Sequence, residues 1–178
     1  FVISSGTFIY NESTDEKGLK ELLSDFCDVS SCRDSLIGNY AFAVADGHNI
    51  NVFSDKYGIY DIFYYKKEKL FAISTSLSEL ACIIPDVSIN RAALFSETIL
   101  AGYIGNETLF DNVYKLRGGE QLIANNDGLA VNVLPYTCKR WDFSGQTIED
   151  AVTQYISMIE VHTKKIKTLW GHNIAIHQ

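Results

Sequence analysis

The sequence predicts an α+β fold, with antiparallel hairpins at the centre of the chain and helices between and after them. Short runs rich in β-branched and aromatic residues are separated by turn residues, which is typical of hairpins. Other segments repeat apolar residues at helical spacing. Ten Tyr and ten Phe against only two Pro favour strands over disorder. At 178 residues and 47% hydrophobic composition, the chain fits one domain, or one domain with an appendage.

The first half of the chain is predicted to hold most of the strands. Asp46-Gly47 supplies the positive φ that a tight hairpin turn needs, and Pro85 ends the helix before it. The predicted elements are, in order, a strand over 2–10 with Gly6 as a bulge or a point of close approach, a helix capped at Thr14 or Asp15, a polar loop with two cysteines, strands over 40–45 and 50–54, a hairpin of 62–65 with 70–74, and a helix over 77–84.

The second half is predicted to hold two longer helices and a further hairpin. Asn90 can cap a helix over 91–100, and Thr147-x-x-Asp150 has the spacing of a capping box that opens a helix of about 20 residues. Strands are predicted over 120–124 and 129–134, joined by a turn at 125–128, with a final strand over 173–176.

Charge and hydropathy exclude two kinds of partner. The net charge of −7 argues against nucleic acid, and no apolar run reaches the ~18 residues of a membrane span. The first residues lack a basic region and a long apolar region, so no signal peptide is predicted and a cytoplasmic location is expected.

The four cysteines do not predict a metal site. Cys27 and Cys32 are spaced C-x4-C, but no second close Cys/His pair follows. We interpret them, with Cys82 and Cys138, as ordinary thiols of a cytosolic protein. A Cys27–Cys32 disulfide stays open and would need an oxidising compartment. His48 is expected to be solvated in its turn, and no histidine pairs with a cysteine at ligand spacing. The tyrosines of 57–65 are expected to be core or interface aromatics.

Four segments together resemble asparagine synthetases, in that family's order. Gly38-Asn39-Tyr40-Ala41-Phe42-Ala43-Val44-Ala45-Asp46 is similar to "G.FAFA..D", and Asp55-Lys56-Tyr57-Gly58-Ile59-Tyr60-Asp61-Ile62-Phe63-Tyr64 to "DR.G..PLYY". Ile73-Ser74-Thr75-Ser76-Leu77 resembles the "FAS" strand end. The segment 102–119, which contains Thr108-Leu109-Phe110 and ends in Arg117-Gly118-Gly119, resembles "GY…TLF..I.KLPPG". Each motif alone is weak, but four in order are a strong signal.

This resemblance implies a class II glutamine amidotransferase domain. Its fold would be the N-terminal-nucleophile hydrolase type, a four-layer αββα sandwich of two antiparallel sheets. Residues 1–140 would form that domain. Residues 141–178 would form a linker, a helix and a first strand that lead into an ATP-pyrophosphatase synthetase domain absent from this sequence. ATP and Mg²⁺ would belong to that absent domain, and no cofactor is expected in this chain.

The residues that carry the family's glutaminase chemistry are altered. The family uses an N-terminal Cys as nucleophile, whereas this chain begins at Phe1 and has no Cys before Cys27. Ser5, Gly6 and Thr7 would correspond to the family's "NGE" substrate-binding strand, with Asn replaced by Ser and Glu by Thr. The family's "HRGPD" motif has no counterpart. Losing one oxyanion donor typically costs ~10²–10³ in rate, so we assign no catalytic residue and expect Ser5, Gly6 and Thr7 to form a degenerate binding strand.

Three hypotheses about function follow and stay open at this point. In the first, the chain is the amidotransferase-like part of an asparagine-synthetase-type ligase, without glutaminase activity, that supports a downstream synthetase domain or a homodimer. In the second, an active glutamine-hydrolysing enzyme of asparagine biosynthesis has lost its first segment here. In the third, the chain is a stand-alone module that binds a peptide or an amino acid.

Overall fold

The computed structural model describes residues 1–45, 47–134 and 147–171. These residues form an α+β arrangement with two antiparallel sheets and five helices. The strands are β1 (Val2–Tyr10), β2 (Leu36–Ala45), β3 (Ile50–Ser54), β4 (Phe63–Lys67), β5 (Leu70–Ser74), β6 (Val113–Lys115), β7 (Glu120–Asn125) and β8 (Gly128–Val133). The helices are α1 (Asp15–Asp25), α2 (Val29–Ser35), α3 (Leu77–Ile83), α4 (Arg91–Leu100) and α5 (Ile148–Trp170).

The larger sheet has five strands in the order β1-β2-β3-β7-β8, and the smaller has three in the order β5-β4-β6. Every pairing in both sheets is antiparallel, as the hairpin-rich sequence predicts. Strand β1 lies at one edge of the larger sheet and β8 at the other.

The apolar side chains form three separate cores. The first lies between the larger sheet and helices α1 and α2, and includes Leu22, Phe42 and Phe53. The second joins inward-facing residues of both sheets, among them Leu122 and Tyr64. The third packs α3 against the far face of the smaller sheet through Leu80. Both faces of both sheets therefore carry buried apolar side chains, which explains the long aromatic and β-branched runs.

The segment predicted as a polar, cysteine-containing loop is a short helix instead. Helix α2 begins after Asp28, whose carboxylate accepts hydrogen bonds from the Ser31 backbone N–H at 2.9 Å and the Ser31 hydroxyl at 2.7 Å. Its apolar side is too short to give a clear periodic signal, but Val29 and Cys32 are both buried in the first core. The N-cap residue was the available signal for this helix.

The remaining predicted elements are present with small shifts. Asn90 caps α4 by accepting from the Ala93 N–H at 3.1 Å, and the capping box at Thr147 opens α5 as expected. The hairpin predicted at 62–65 is shifted by one residue at its start and extends to Lys67. Strand β6 was missed because three residues are too few to show alternation. The predicted strand over 173–176 lies outside the described residues.

Helix α5 packs little against the rest of the described chain. None of its residues is buried, and several of its apolar side chains are exposed, from Ile148 at 80% to Ile159 at 47%. An ion pair between Lys165 and Glu12, at 3.8 Å, connects it to the turn after β1. No described helix combines the length and the hydropathy that crossing a bilayer requires.

Candidate functional site

Three segments that are distant in sequence meet around the loop 55–60, between β3 and β4. Asp55 organises this loop and is only 3% exposed. One oxygen of its carboxylate accepts the N–H groups of Tyr57 and Ile59 at 3.0 and 3.1 Å, and the other accepts the N–H of Tyr60 at 2.8 Å. Three N–H donors on one carboxylate fix the turn of this loop, which explains the Asp at position 55.

The loop is in direct backbone contact with the Arg117-Gly118-Gly119 turn. A Cβ placed on Gly58 would lie 2.5 Å from the Gly118 nitrogen, and one on Gly118 would lie 2.5 Å from the Tyr57 carbonyl carbon. Gly58 also has a φ of +65°, which disfavours any side chain. Both glycines are therefore needed for the contact between the loop 55–60 and the turn 117–119.

Tyr60 extends from this loop to β1. Its hydroxyl lies 2.5 Å from Ser5 Oγ in a hydrogen bond, and its ring lies so close to Gly6 that a Cβ there would fall 2.7 Å from Cε2. Gly6 has a φ of +90°, so both its backbone conformation and the nearby Tyr60 ring disfavour a side chain at this position. The structure thus brings Ser5 and Gly6 against the loop 55–60, while Thr7 is exposed and makes no such contact with another described residue.

Ser5 belongs to a row of small side chains across the larger sheet. Ser5 pairs with Ala41, and Ala41 with Ser54, so the three side chains project from the same face. That face is the one that meets the smaller sheet, because Ala41 lies in the second core. Ser54 is 1% exposed, and its Oγ has no hydrogen-bond partner among the described residues.

A buried arginine supports the loop from the other side. Arg33 of α2 is 5% exposed and donates to the Asp55 carbonyl oxygen at 3.0 Å. Burial lowers the pKa of Arg33, while the nearby Tyr40 and Asp55 act in the opposite direction. Burial likewise raises the pKa of Tyr40 well above its ordinary value. Arg33 therefore connects α2 to the loop 55–60.

The segment 102–119 attaches to the smaller sheet just before its glycine turn. The Asn106 side chain donates to the Tyr64 hydroxyl at 3.3 Å, and the Asn106 carbonyl accepts the Lys115 N–H at 2.7 Å. Thr108, 1% exposed, donates to the Val113 carbonyl at 2.8 Å. These contacts hold the segment against β4 and β6 and so bring the turn at 117–119 to the loop 55–60.

The described thiols are not placed as nucleophiles of this site. Cys32 lies in the first core, on the helix-covered face of the larger sheet, and burial raises the pKa of its thiol to about 11. Cys27 and Cys82 are exposed and not in a disulfide, so the Cys27–Cys32 bridge is absent. His48 and His162 are exposed. In the described part of the chain, no three His, Cys, Asp or Glu side chains are grouped as metal ligands require. Cys138 lies outside it.

The hydroxyl groups of the site are those of Ser5, Ser54 and Tyr60. Ser5 Oγ is hydrogen-bonded to the Tyr60 hydroxyl, and not to a carboxylate or an imidazole that could activate it as a nucleophile. Tyr60 and Arg33 were not predicted as site residues. Tyr60 was expected to be a core or interface aromatic, and nothing in the local pattern of Arg33 distinguishes it from a solvated arginine.

Comparisons with known proteins give matches among solved structures. No known family profile and no curated protein sequence matches the chain. Among solved structures, it is similar to the glutamine phosphoribosylpyrophosphate (PRPP) amidotransferase from B. subtilis, in its complex with ADP and GMP, with 12% identity and a TM-score of 0.42. The match covers 76% of this chain and 30% of that one, so the chain spans under a third of that protein's length. A similarity of this size leaves the function to be argued from the chain's own residues.

Proposed function

We propose that this chain is a glutamine amidotransferase-like domain of an asparagine-synthetase-type, ATP-dependent amide-forming ligase, and that it does not hydrolyse glutamine. Its role is then structural, as a scaffold for a synthetase domain. A cytoplasmic location and a part in asparagine biosynthesis belong to the same proposal.

The convergence of the motif segments is the observation that carries the proposal. Residues 55–60 and 117–119 resemble two motifs of the family, and they are about 60 residues apart in sequence. Nevertheless, a Cβ on Gly58 would lie 2.5 Å from the Gly118 nitrogen, and a Cβ on Gly118 would lie 2.5 Å from the Tyr57 carbonyl carbon. If the two short segments resembled the family only by chance, there would be no reason for the backbone of each to exclude a side chain at the glycine of the other. Ser5 and Gly6, taken as the altered binding strand, contact the same loop through Tyr60.

The packing supports the fold that the proposal requires. One core lies between the larger sheet and helices α1 and α2, a second lies between the two sheets, and a third lies between the smaller sheet and α3. That succession is expected of the αββα sandwich of N-terminal-nucleophile hydrolases. The four-layer order remains part of the proposal.

The contact between Ser5 and Tyr60 supports the absence of glutaminase activity. Ser5 stands where the family has an asparagine that helps to stabilise the oxyanion, and its hydroxyl is already bonded to Tyr60 at 2.5 Å. The Tyr60 ring also lies against Gly6, where a Cβ would fall 2.7 Å from Cε2. Removing an oxyanion donor costs about 3–4 kcal/mol of transition-state stabilisation.

Helix α5 supports the presence of a further domain as the partner. Its capping box defines a firm start at Thr147, yet its apolar side chains Ile148, Val152 and Tyr155 are 50–80% exposed. A capped 23-residue helix with an uncovered apolar face is typical of a segment that packs against another unit. We propose that this unit is the downstream synthetase domain, which would bind the ATP and Mg²⁺.

Two measurements test the proposal. Purified protein incubated with glutamine is expected to release no glutamate or ammonia above a Ser5→Ala variant. Sequencing the transcript beyond the codon for Gln178 is expected to show a "SGG.DS" loop within a few residues, since that loop follows the family's first strand directly. A stop codon at that place would refute the ligase assignment and favour the stand-alone binding module.

A further inference from the structure

The row of small side chains on the larger sheet leaves a shallow trough. Ala41 pairs with both Ser5 and Ser54, so the three side chains project from one face, toward the smaller sheet. The row crosses β1, β2 and β3, and two strand spacings make it about 10 Å long. Protein interiors are close-packed, so a row of small residues has a larger group above it. That group shows which chemistry the trough accepts.

Tyr60 lies across this trough. Its backbone N–H donates to the carboxylate of Asp55 at 2.8 Å, so the residue begins beside the end of β3, where Ser54 is the last residue. Its hydroxyl is hydrogen-bonded to Ser5 of β1 at 2.5 Å, and its ring packs against the second core, to which Ala41 belongs. The side chain therefore reaches from β3 to β1 over β2, which explains why the residues below it are small.

The trough has a hydroxyl group at each end and apolar contacts between them. At the β1 end, the Ser5 hydroxyl bonds to Tyr60, and Gly6 leaves room for the ring, because a Cβ there would fall 2.7 Å from Cε2. At the β3 end, Ser54 is 1% exposed, and its Oγ has no hydrogen-bond partner among the described residues. Buried hydroxyls without a partner are rare, so Ser54 marks a position where a polar atom of a ligand can bond.

We propose that this trough is a binding site for a phenol, and that Tyr60 occupies it as a ligand tethered through the loop 55–60. The inference does not depend on the proposed function. A free phenol reproduces the part of Tyr60 beyond its Cβ, so truncation to alanine frees a space of that shape. The cavity left by a truncated core side chain can bind a ring of matching size. Ser5 selects for the hydroxyl, and the apolar contacts of the ring disfavour a charged ligand.

Binding of phenol and benzene to Tyr60→Ala tests both the site and the role of Ser5. Calorimetric titration should show that phenol binds this variant and that benzene binds about fivefold more weakly, since benzene cannot bond to Ser5. At about ten times its Kd, phenol should raise the folding equilibrium constant of Tyr60→Ala about elevenfold in urea unfolding. The double variant Tyr60→Ala/Ser5→Ala should bind the two ligands equally, because the discriminating hydroxyl is gone.

The wild type and Tyr57→Ala supply the controls. Tyr57 belongs to the same loop but is 75% exposed, so its truncation opens no site, and in the wild type the trough is filled. Neither should bind phenol. The proposal is overturned if phenol binds Tyr60→Ala no better than Tyr57→Ala, or if phenol and benzene bind Tyr60→Ala equally. If Tyr60→Ala does not fold alone, its refolded fraction is compared in the two ligands: recovery in phenol beyond that in benzene supports the site, and equal or no recovery overturns it.

Discussion

Replacing Gly118 by Ala tests the contact on which the candidate site depends. The added Cβ would lie 2.5 Å from the Tyr57 carbonyl carbon and 2.8 Å from the Lys56 carbonyl oxygen. Both are backbone atoms and cannot rotate away as a side chain does. Ordinary carbon contacts need about 3.5 Å, so the turn and the loop must separate by roughly 1 Å. The φ of Gly118 lies outside the left-handed region, so the contact alone decides the result.

The expected cost of Gly118→Ala is that of overpacking at a rigid contact, about 2–3 kcal/mol. For a domain of this size, 1 kcal/mol corresponds to about 2–4 °C, so the melting temperature should fall by roughly 4–12 °C. Thermal unfolding followed by far-ultraviolet circular dichroism measures this directly, and urea unfolding gives the free energy.

A matched control separates this contact from the general effect of adding a methyl group. Gly102 has no heavy atom within 4 Å of a Cβ position, and its φ also lies outside the left-handed region. Gly102→Ala should therefore change stability by less than about 0.5 kcal/mol. If Gly118→Ala melts with the wild type, or no lower than Gly102→Ala, the close approach of the two motif segments is wrong.

Asp55→Asn should destabilise the fold by about 2–3 kcal/mol in urea unfolding, because an amide cannot accept from all three N–H groups. Asp86→Asn, at an exposed site, should have little effect on stability. Tyr60→Phe removes the hydroxyl bonded to Ser5 and should lower the free energy of unfolding by about 1 kcal/mol. Tyr57→Phe, at an exposed position, should leave the stability unchanged. The buried Cys32 thiol has a raised pKa of about 11, so its contribution to stability is intact below about pH 9 and is lost as the pH rises toward 11. The stability difference between wild type and Cys32→Ala should shrink by about 2 kcal/mol over that window, and a constant difference would contradict the burial of the thiol.

The hairpins were predictable from sequence because their signals are local. Gly47, with a φ of +83°, and the turn at 125–128 lie where strands reverse, and the alternation on either side of them determines which faces are buried. The capping residues Asn90 and Thr147 likewise located the starts of α4 and α5. Such patterns need only a few neighbouring residues, so tertiary structure did not override them.

The geometry of the site could not be predicted in the same way. The strand Ser5-Gly6-Thr7 was identified only through the family resemblance, and nothing local to Tyr60 indicates that its hydroxyl reaches Ser5, 55 residues away. The need for glycine at position 118 likewise depends on a backbone that is distant in sequence. Long-range contacts of this kind depend on how the sheets pack, which periodicity does not specify. The structure brings Ser5 and Gly6 to the loop 55–60 but leaves Thr7 exposed.

Glutamine hydrolysis by the purified chain tests most directly the claim that it keeps the architecture of an amidotransferase without its chemistry. Coupled detection of glutamate and ammonia at saturating glutamine should give the same rate for wild type, Ser5→Ala and Cys27→Ala, and that rate should equal the buffer background. Release of glutamate by the wild type that either substitution abolishes would contradict this account, because it would show that a described residue acts as a nucleophile.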